Sequence, residues 1–251
     1  MSTPKKKPPA TCYMCSAAKT SVEHVPPRCL FPKAKDVPPG TNTRFQMITV
    51  PACDTHNGAK SHDDEYLMYA LVIGILNNAT ADLQVQTKIQ RAIAKNPTLA
   101  RVLTAHQVPV KLEEIQTGTW RDGVALRVDA ARVRKSLEQV GRALYFHLFG
   151  EKWLDDIQVH PLFLIELEGE DAPAFNANLE TLRESIEELM KSEPVEGSNP
   201  DVFTYQVKRV DWPEIPCVMQ LTFFEGSKVV MLFRKPSAQS AAQVPAAGQA
   251  I

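Results

Sequence analysis

Four residues near the start of the chain have the types and the spacing of a metal site. Cys12 and Cys15 are separated by two residues, and Cys53 and His56 repeat that spacing further along. Such a pair lets one tight turn present both side chains to one ion, and three thiolates with one imidazole complete the tetrahedron that Zn²⁺ prefers. Because protein groups fill all four positions, the pattern predicts a structural zinc that holds backbone segments together.

Residues suited to acid–base and cation chemistry lie beside these pairs. Glu23 and His24 are adjacent, Asn57 directly follows the last predicted zinc ligand, and Lys60 comes three residues later. A closed zinc site has no open position for water, so any chemistry is expected next to it. An imidazole titrates near neutral pH and can remove a proton, whereas carboxylate and amide oxygens suit a hard cation.

The order Cys-x-x-Cys, Glu-His-Val-x-Pro, Cys-x-x-His-Asn-x-x-Lys resembles the HNH endonuclease family, in its zinc-stabilised ββα-metal branch, which includes phage resolvases. In that family, zinc clamps a β-hairpin to the helix that begins with the catalytic Asn. The resemblance implies hydrolysis of DNA phosphodiester bonds, with His24 as the general base. It also implies that Glu23 and Asn57 hold a catalytic Mg²⁺ or Mn²⁺.

The chain departs from the family pattern at a few positions. His56 stands where a fourth Cys is usual, Glu23 replaces the commoner Asp, and the glycines that often follow the His-x-x-Pro segment are missing. A histidine is an accepted zinc ligand, and a glutamate is still a carboxylate. Every functional group that the chemistry needs is therefore retained.

Further site residues are candidates for cation or phosphate binding. His62 lies close enough to Asn57 to be a third ligand or a phosphate contact, and the alternative is an exposed histidine in the first turn of a helix. The candidate phosphate-binding residues are Lys60, Arg44, Lys33 and Lys35. For the last three, ordinary surface charge is the alternative.

A β-hairpin followed by a helix must position these residues. Residues 44–50 predict the second strand, after a proline-rich loop over residues 25–43. Neighbours on a regular strand point to opposite faces, so a bend or bulge is expected at Glu23 and His24. Ser61, followed by acids, predicts a helix N-terminus, with the helix running to residue 77.

The predicted fold class is α+β, with a zinc-tied ββα-metal (HNH) module at residues 11–80 and a mixed helix and antiparallel-sheet domain at residues 81–235. A disordered basic arm at residues 1–10 and a disordered tail at residues 236–251 flank them. The second domain has no predicted role. Its predicted helices are 82–95, 97–106, 129–150 and 173–192, and its predicted strands are 108–115, 119–128, 159–168, 202–209, 217–225 and 228–234.

The amino-acid composition limits the kinds of nucleic-acid binding that the protein can have. The 251-residue chain is 44% hydrophobic with a net charge of −1, which excludes a polycation that coats nucleic acid indiscriminately. Residues 1–65 contain nine Lys and Arg against six Asp and Glu, whereas the remainder contains 19 against 23. A phosphate-contacting surface is therefore expected in the N-terminal module.

The expected location is cytoplasmic. Three of the five cysteines are predicted metal ligands, which indicates a reducing interior, and we expect no signal peptide and no contact with a membrane. The expected partner is DNA. RNA is an alternative substrate, because hydrolysis does not need the 2′-hydroxyl, and a zinc-binding recognition module without catalysis is an alternative function. The C-terminal domain would supply a homodimer contact or a site for a partner protein.

Overall fold

An antiparallel hairpin followed by two helices forms the N-terminal part of the computed structural model. Strand β1 (Ser21–Val25) pairs with β2 (Ile48–Ala52), and α1 (Asp54–Asn57) follows directly. A single 3-10 turn (Gly58–Lys60) leads into α2 (Ser61–Val72). The structure describes residues 10–95, 107–114 and 117–236. The predicted arm up to residue 9, the helix at 97–106, residues 115–116 of the predicted hairpin and the tail from residue 237 lie outside these ranges.

The prediction of a bend or bulge at Glu23 and His24 is wrong. The pairing of β1 with β2 runs without a break from Ser21 to Val25, and Glu23 lies opposite Val50. Burial alternates along the strand, so Glu23 is buried and His24 is half-buried. The unbroken ladder keeps the backbone groups of both strands paired, which a bulge would disrupt.

The second strand begins later than residue 44. The backbone N–H of Phe45 donates to the side-chain oxygen of Asn199 at 3.2 Å, and the Asn199 amide donates to the Phe45 carbonyl at 2.8 Å. Because a distant side chain satisfies both backbone groups, this segment does not join the ladder. The prediction of a hydroxyl cap at Ser61 places the start of the helix at residue 62. In the structure, Ser61 is the first residue of α2 and Lys60 is its N-cap, so the helix starts one residue earlier.

The remainder of the chain contains two helical segments, a separate two-stranded ribbon and a five-stranded sheet with two long helices. The elements are α3 (Ala79–Gln84), a π turn (Val85–Ile89), α4 (Gln90–Lys95), β3 (Gln107–Glu114), β4 (Thr119–Leu126), α5 (Ala130–Phe149), β5 (Ile157–Pro161), α6 (Ala172–Met190), β6 (Glu196–Asn199), β7 (Phe203–Arg209), β8 (Cys217–Phe223) and β9 (Ser227–Phe233).

The α+β class is therefore confirmed, with all three sheets antiparallel. In the large sheet, the strand order is β5-β9-β8-β7-β6. The alternating residues of β8 divide between two faces: Met219 packs into the main core, and Val218 packs with Ile186 and Met190 of α6. A strand covered on both faces accounts for the nearly continuous apolar run of β8.

Helix α5 forms as its sequence predicts. The Asp129 side chain accepts a hydrogen bond from the Arg132 backbone N–H, and Gly150 ends the helix with φ 70°. Its apolar positions Val133, Leu137 and Leu144 are fully buried, as helical spacing on one face requires.

One hydrophobic cluster joins the N-terminal part to the rest of the chain. It contains Tyr13 and Leu71 from the first 80 residues together with Leu137 and Phe223 from beyond them. The domain boundary near residue 80 stays a prediction. Among the residues that the structure describes, no helix is both long and apolar enough to cross a membrane.

Candidate metal centre and adjacent cavity

The four predicted zinc ligands lie together. The ligand atoms of Cys12, Cys15, Cys53 and His56 are all within 4.8 Å of one another. His56 Nδ1 is 3.4 Å from Cys12 Sγ and 3.3 Å from Cys53 Sγ, and the Sγ atoms of Cys15 and Cys53 are 3.8 Å apart. A Zn–S bond of about 2.3 Å gives a tetrahedral edge of roughly 3.8 Å. The donor set and its spacing therefore fit a metal ion such as Zn²⁺.

Two short segments present these ligands. The Cys12 backbone N–H donates to the Ala17 carbonyl at 2.9 Å, which closes the turn that holds Cys12 and Cys15. The Tyr13 N–H donates to the Pro51 carbonyl at 2.8 Å and fixes that turn against β2. Cys53 is the N-cap of α1, which carries His56. The cluster thus joins the start of the chain to the end of the hairpin.

The electrostatics of Cys53 suit metal binding. Burial acts to raise its pKa, but hydrogen bonds from the His56 backbone N–H and from the side chains of Cys12, Cys15 and His56 lower the pKa to about 6. A thiol with this pKa is largely thiolate at neutral pH, and the thiolate is the form that binds metal.

An open cavity of about 200 Å³ lies beside this cluster. Asn57, the residue after the ligand His56, is part of its lining. The predicted catalytic residues Glu23, His24 and Asn57 all line it, although Glu23 and His24 alternate along β1. The other lining residues are Arg28, Cys29, Ser61 and Asp64.

Glu23 belongs to a buried group of charges. Its Oε1 atom is 2.8 Å from Lys60 Nζ, which is also 3.4 Å from Asp64 Oδ1. Glu23 Oε2 is buried and has no hydrogen-bond partner among the described residues. Burial raises the pKa of both carboxyls, and the charge of Lys60 offsets part of that increase.

His24 has a depressed pKa. Burial is the main cause, and the positive charges of Arg28 and Arg44 lower the pKa further. An imidazole in this setting is neutral at physiological pH, the form in which it can accept a proton.

Asn57 ties the end of α1 to the strand that carries Glu23 and His24. Its side-chain amide donates to Ser21 Oγ at 2.9 Å and to the Val22 carbonyl at 3.1 Å. Because the NH₂ group makes these bonds, Oδ1 is the Asn57 atom with the chemistry to contact a cation.

The remaining predicted site residues lie outside the cavity lining. Lys60 is only 6% exposed and faces two carboxylates. Arg44 is half-buried and donates to the Phe31 carbonyl at 2.9 Å. Lys33, Lys35 and His62 are exposed.

Arg28, Ser61 and Asp64 line the cavity but were not selected from the sequence as site residues. For Asp64, no regular helical spacing from Asn57 gives a signal, because the 3-10 turn Gly58–Lys60 separates α1 from α2. Arg28 lies in a 3-10 turn after two prolines, where no periodic pattern predicts its direction.

Comparison of the chain with protein-family models, with curated proteins and with solved structures finds no match in any of the three. What the site can do chemically therefore follows from its own residues.

Proposed function

We propose that this chain is a metal-dependent endonuclease of the HNH type that hydrolyses DNA phosphodiester bonds. The observation that carries the proposal is the meeting of His24, Glu23 and Asn57 at one open cavity, next to a group of four zinc-type ligands. These residues come from the hairpin strand β1 and from the end of α1. Strand, helix and zinc cluster are the three parts that the ββα-metal arrangement needs.

The zinc cluster has a structural role in this proposal. Cys12, Cys15, Cys53 and His56 would fill every coordination position, so the ion offers no site for water or substrate. Its binding energy contributes to folding by fixing the turn that holds Cys12 and Cys15 against α1. The catalytic residues are then held by a rigid hairpin and helix.

A second cation, Mg²⁺ or Mn²⁺, would be held by Glu23 and Asn57. Glu23 Oε2 supports this role, because it is buried with no partner among the described residues and an ionised oxygen without a partner is costly to bury. Carboxylate and amide oxygens are the ligands that such hard ions prefer. When bound, the ion supplies neutralisation of the charge on the phosphate and on the leaving oxygen.

His24 acts as the general base. Its half-buried imidazole lines the cavity and takes a proton from the attacking water. Burial, and then the positive charges of Arg28 and Arg44, disfavour the imidazolium, so the lowered pKa keeps the ring neutral and able to accept the proton.

Arg28 is the cavity residue best placed to bind the phosphate group. It is exposed and carries the only positive side chain among the described residues that line the cavity. A guanidinium matches two phosphate oxygens with its paired donors. Lys33 and Lys35 are exposed and remain candidates for neighbouring phosphates, whereas Lys60 and Arg44 have intramolecular partners.

DNA is the proposed substrate, and RNA remains the alternative within the same chemistry. The part of the chain beyond residue 80 would supply a homodimer contact or a site for a partner protein. The rival function is a zinc-binding recognition module without catalysis. The Glu23–Lys60 ion pair favours this rival, because an ammonium already neutralises one of the carboxylates at the cavity.

Cleavage of supercoiled plasmid and of a single-stranded RNA, in Mg²⁺, Mn²⁺ or EDTA, tests the proposal. The wild-type protein is expected to cut DNA only with the cation, and His24→Ala is expected to lose at least a hundredfold in rate, as for removal of a general base. His147→Ala is the matched control, because that exposed histidine lies on α5 and does not line the cavity.

The same preparations are assayed for bound zinc and for thermal unfolding. Retained cutting by His24→Ala would overturn the role of that residue. Zinc-loaded wild-type protein that cuts neither polymer would favour the recognition module, and cutting of RNA alone would replace the substrate.

A further inference from the structure

Two carboxylates and one ammonium form a buried group at the cavity. Lys60 Nζ bridges Glu23 Oε1 at 2.8 Å and Asp64 Oδ1 at 3.4 Å, and the three side chains are 6%, 4% and 19% exposed in the order Lys60, Glu23, Asp64. With both acids ionised, the group carries one negative charge that no protein side chain offsets within it. An excess charge in a low-dielectric setting is costly unless it is paired.

The two carboxylates of this group, Glu23 and Asp64, border the cavity, and its ammonium, on Lys60, does not. Glu23 Oε2 is the oxygen left without a hydrogen-bond partner in the part of the chain that the structure describes, on a side chain that is more than nine-tenths buried. The ammonium pairs with Glu23 Oε1 and Asp64 Oδ1, so Glu23 Oε2 remains for a ligand of positive charge.

We infer that Asp64 is a further ligand of the divalent cation, together with Glu23, and that Lys60 is the resident counter-ion that limits the affinity of this site. The inference rests on the proposed function, since it concerns the same cation. Asp64 lies in the first turn of α2, where a negative charge interacts favourably with the helix dipole. The inference gives this carboxylate a second role, as a metal ligand.

Position supports Asp64 in preference to its neighbour Asp63. Asp63 is directed to Arg132, whose Nε atom is 2.7 Å from Asp63 Oδ1, and it does not line the cavity. The two acids are adjacent in the same helical turn and have opposite surroundings. Asp63 is therefore a matched control for any general effect of removing a carboxylate from the start of α2.

Replacement of Lys60 is expected to change the affinity for divalent cations in the opposite direction. Its ammonium repels an incoming cation, and replacement by the apolar side chain of methionine removes that repulsion while it keeps a similar length. Affinity for divalent cations depends on the charge of the ligand set, so the variant with more net negative charge binds more tightly.

Titration with Mn²⁺, by calorimetry and by the electron paramagnetic resonance signal of free Mn²⁺, tests the inference on zinc-loaded protein without nucleic acid. Asp64→Asn is expected to weaken Mn²⁺ binding by about tenfold or more, and Lys60→Met to tighten it by about tenfold. Asp63→Asn is expected to bind as the wild type does. Zinc content and circular dichroism test whether each variant is folded. If Asp64→Asn is not folded, Asp64→Ser takes its place.

The outcomes separate this inference from the proposed function. Equal affinity of Asp64→Asn and wild type overturns the role of Asp64 and leaves a nuclease that uses Glu23 and Asn57. The expected changes in affinity without cleavage of any polymer support the cation site and overturn the nuclease. Absence of Mn²⁺ binding to the wild-type protein at millimolar concentration overturns both.

Discussion

The Nδ1 atom of His56 lies 3.4 Å from Sγ of Cys12, so two residues that are 44 positions apart meet at one point. Cys53 Sγ approaches the same ring nitrogen at 3.3 Å. The contact joins the first ordered turn of the described chain to α1, the helix that ends at Asn57. A metal ion at this point would hold the hairpin and α1 in one arrangement.

Replacement of Cys53 by alanine is expected to remove zinc and to destabilise the protein. Three ligands would remain, and because metal binding contributes to folding, the loss is on the order of several kcal/mol. Metal content by mass spectrometry and the midpoint of urea unfolding measure the two effects. Cys217→Ala is the control, since that buried cysteine lies on β8 and is not among the four ligands. Full zinc content and an unchanged midpoint in Cys53→Ala would refute the structural zinc.

The pH dependence of cleavage is expected to report on His24. Its pKa is lowered by burial and by the charges of Arg28 and Arg44. In the proposed role, His24 accepts a proton as the neutral ring, so the rate is expected to be constant above that pKa and to fall as the pH decreases through it, below the ordinary value of about 6.5. The measurement is the single-turnover rate from about pH 5 to about pH 8, which spans about one and a half units on either side of the ordinary imidazole value.

Arg44→Gln provides the matched test of this pH dependence. Removal of the positive charge is expected to raise the pKa of His24 and to move the acid limb of the profile to higher pH. Lys19→Gln is the control, because that exposed residue is not among the causes of the shift at His24. If the limb stays in place in Arg44→Gln, the charge of Arg44 does not set the protonation of the base.

Sequence patterns predicted those parts of the protein that depend on local spacing. The zinc-type ligands Cys12, Cys15, Cys53 and His56 follow from two pairs with the same interval, and α5 follows from Asp129, its apolar period and Gly150. The antiparallel strands β7, β8 and β9 follow from their apolar composition and from the turn near Gly226.

Contacts between distant segments could not be predicted in this way. The start of β2 depends on Asn199, which bonds Phe45 from 154 residues away. The partner of Lys60 depends on which face of α2 meets β1, so a lysine predicted to bind phosphate is instead paired with Glu23. Strand β6 has the sequence Glu-Gly-Ser-Asn, which has no apolar alternation, and only its partner β7 defines it as a strand.

The docking of the N-terminal part on the large sheet gives the last prediction. The turn between β8 and β9 passes so close to the segment that follows α2 that a Cβ atom on Gly226 would overlap the carbonyl group of Leu76. Nearby, Ser227 Oγ donates to the Leu71 carbonyl at 3.3 Å, and the Asn78 N–H donates to the Phe224 carbonyl at 3.0 Å. Backbone cannot move away as a flexible side chain can, so Gly226→Ala is expected to cost about 1–3 kcal/mol of unfolding free energy.

Gly58→Ala is the matched control for this substitution. Gly58 has helical backbone angles, and a Cβ atom there would meet nothing within 4 Å, so the free energy of unfolding is expected to stay within about 0.5 kcal/mol of the wild type or to rise slightly. Urea unfolding of both variants measures the difference. Gly226→Ala is also expected to keep its zinc, because the four ligands lie on segments other than the turn that holds Gly226. Equal stability of the two variants would mean that the turn and the segment that follows α2 are not packed together in solution.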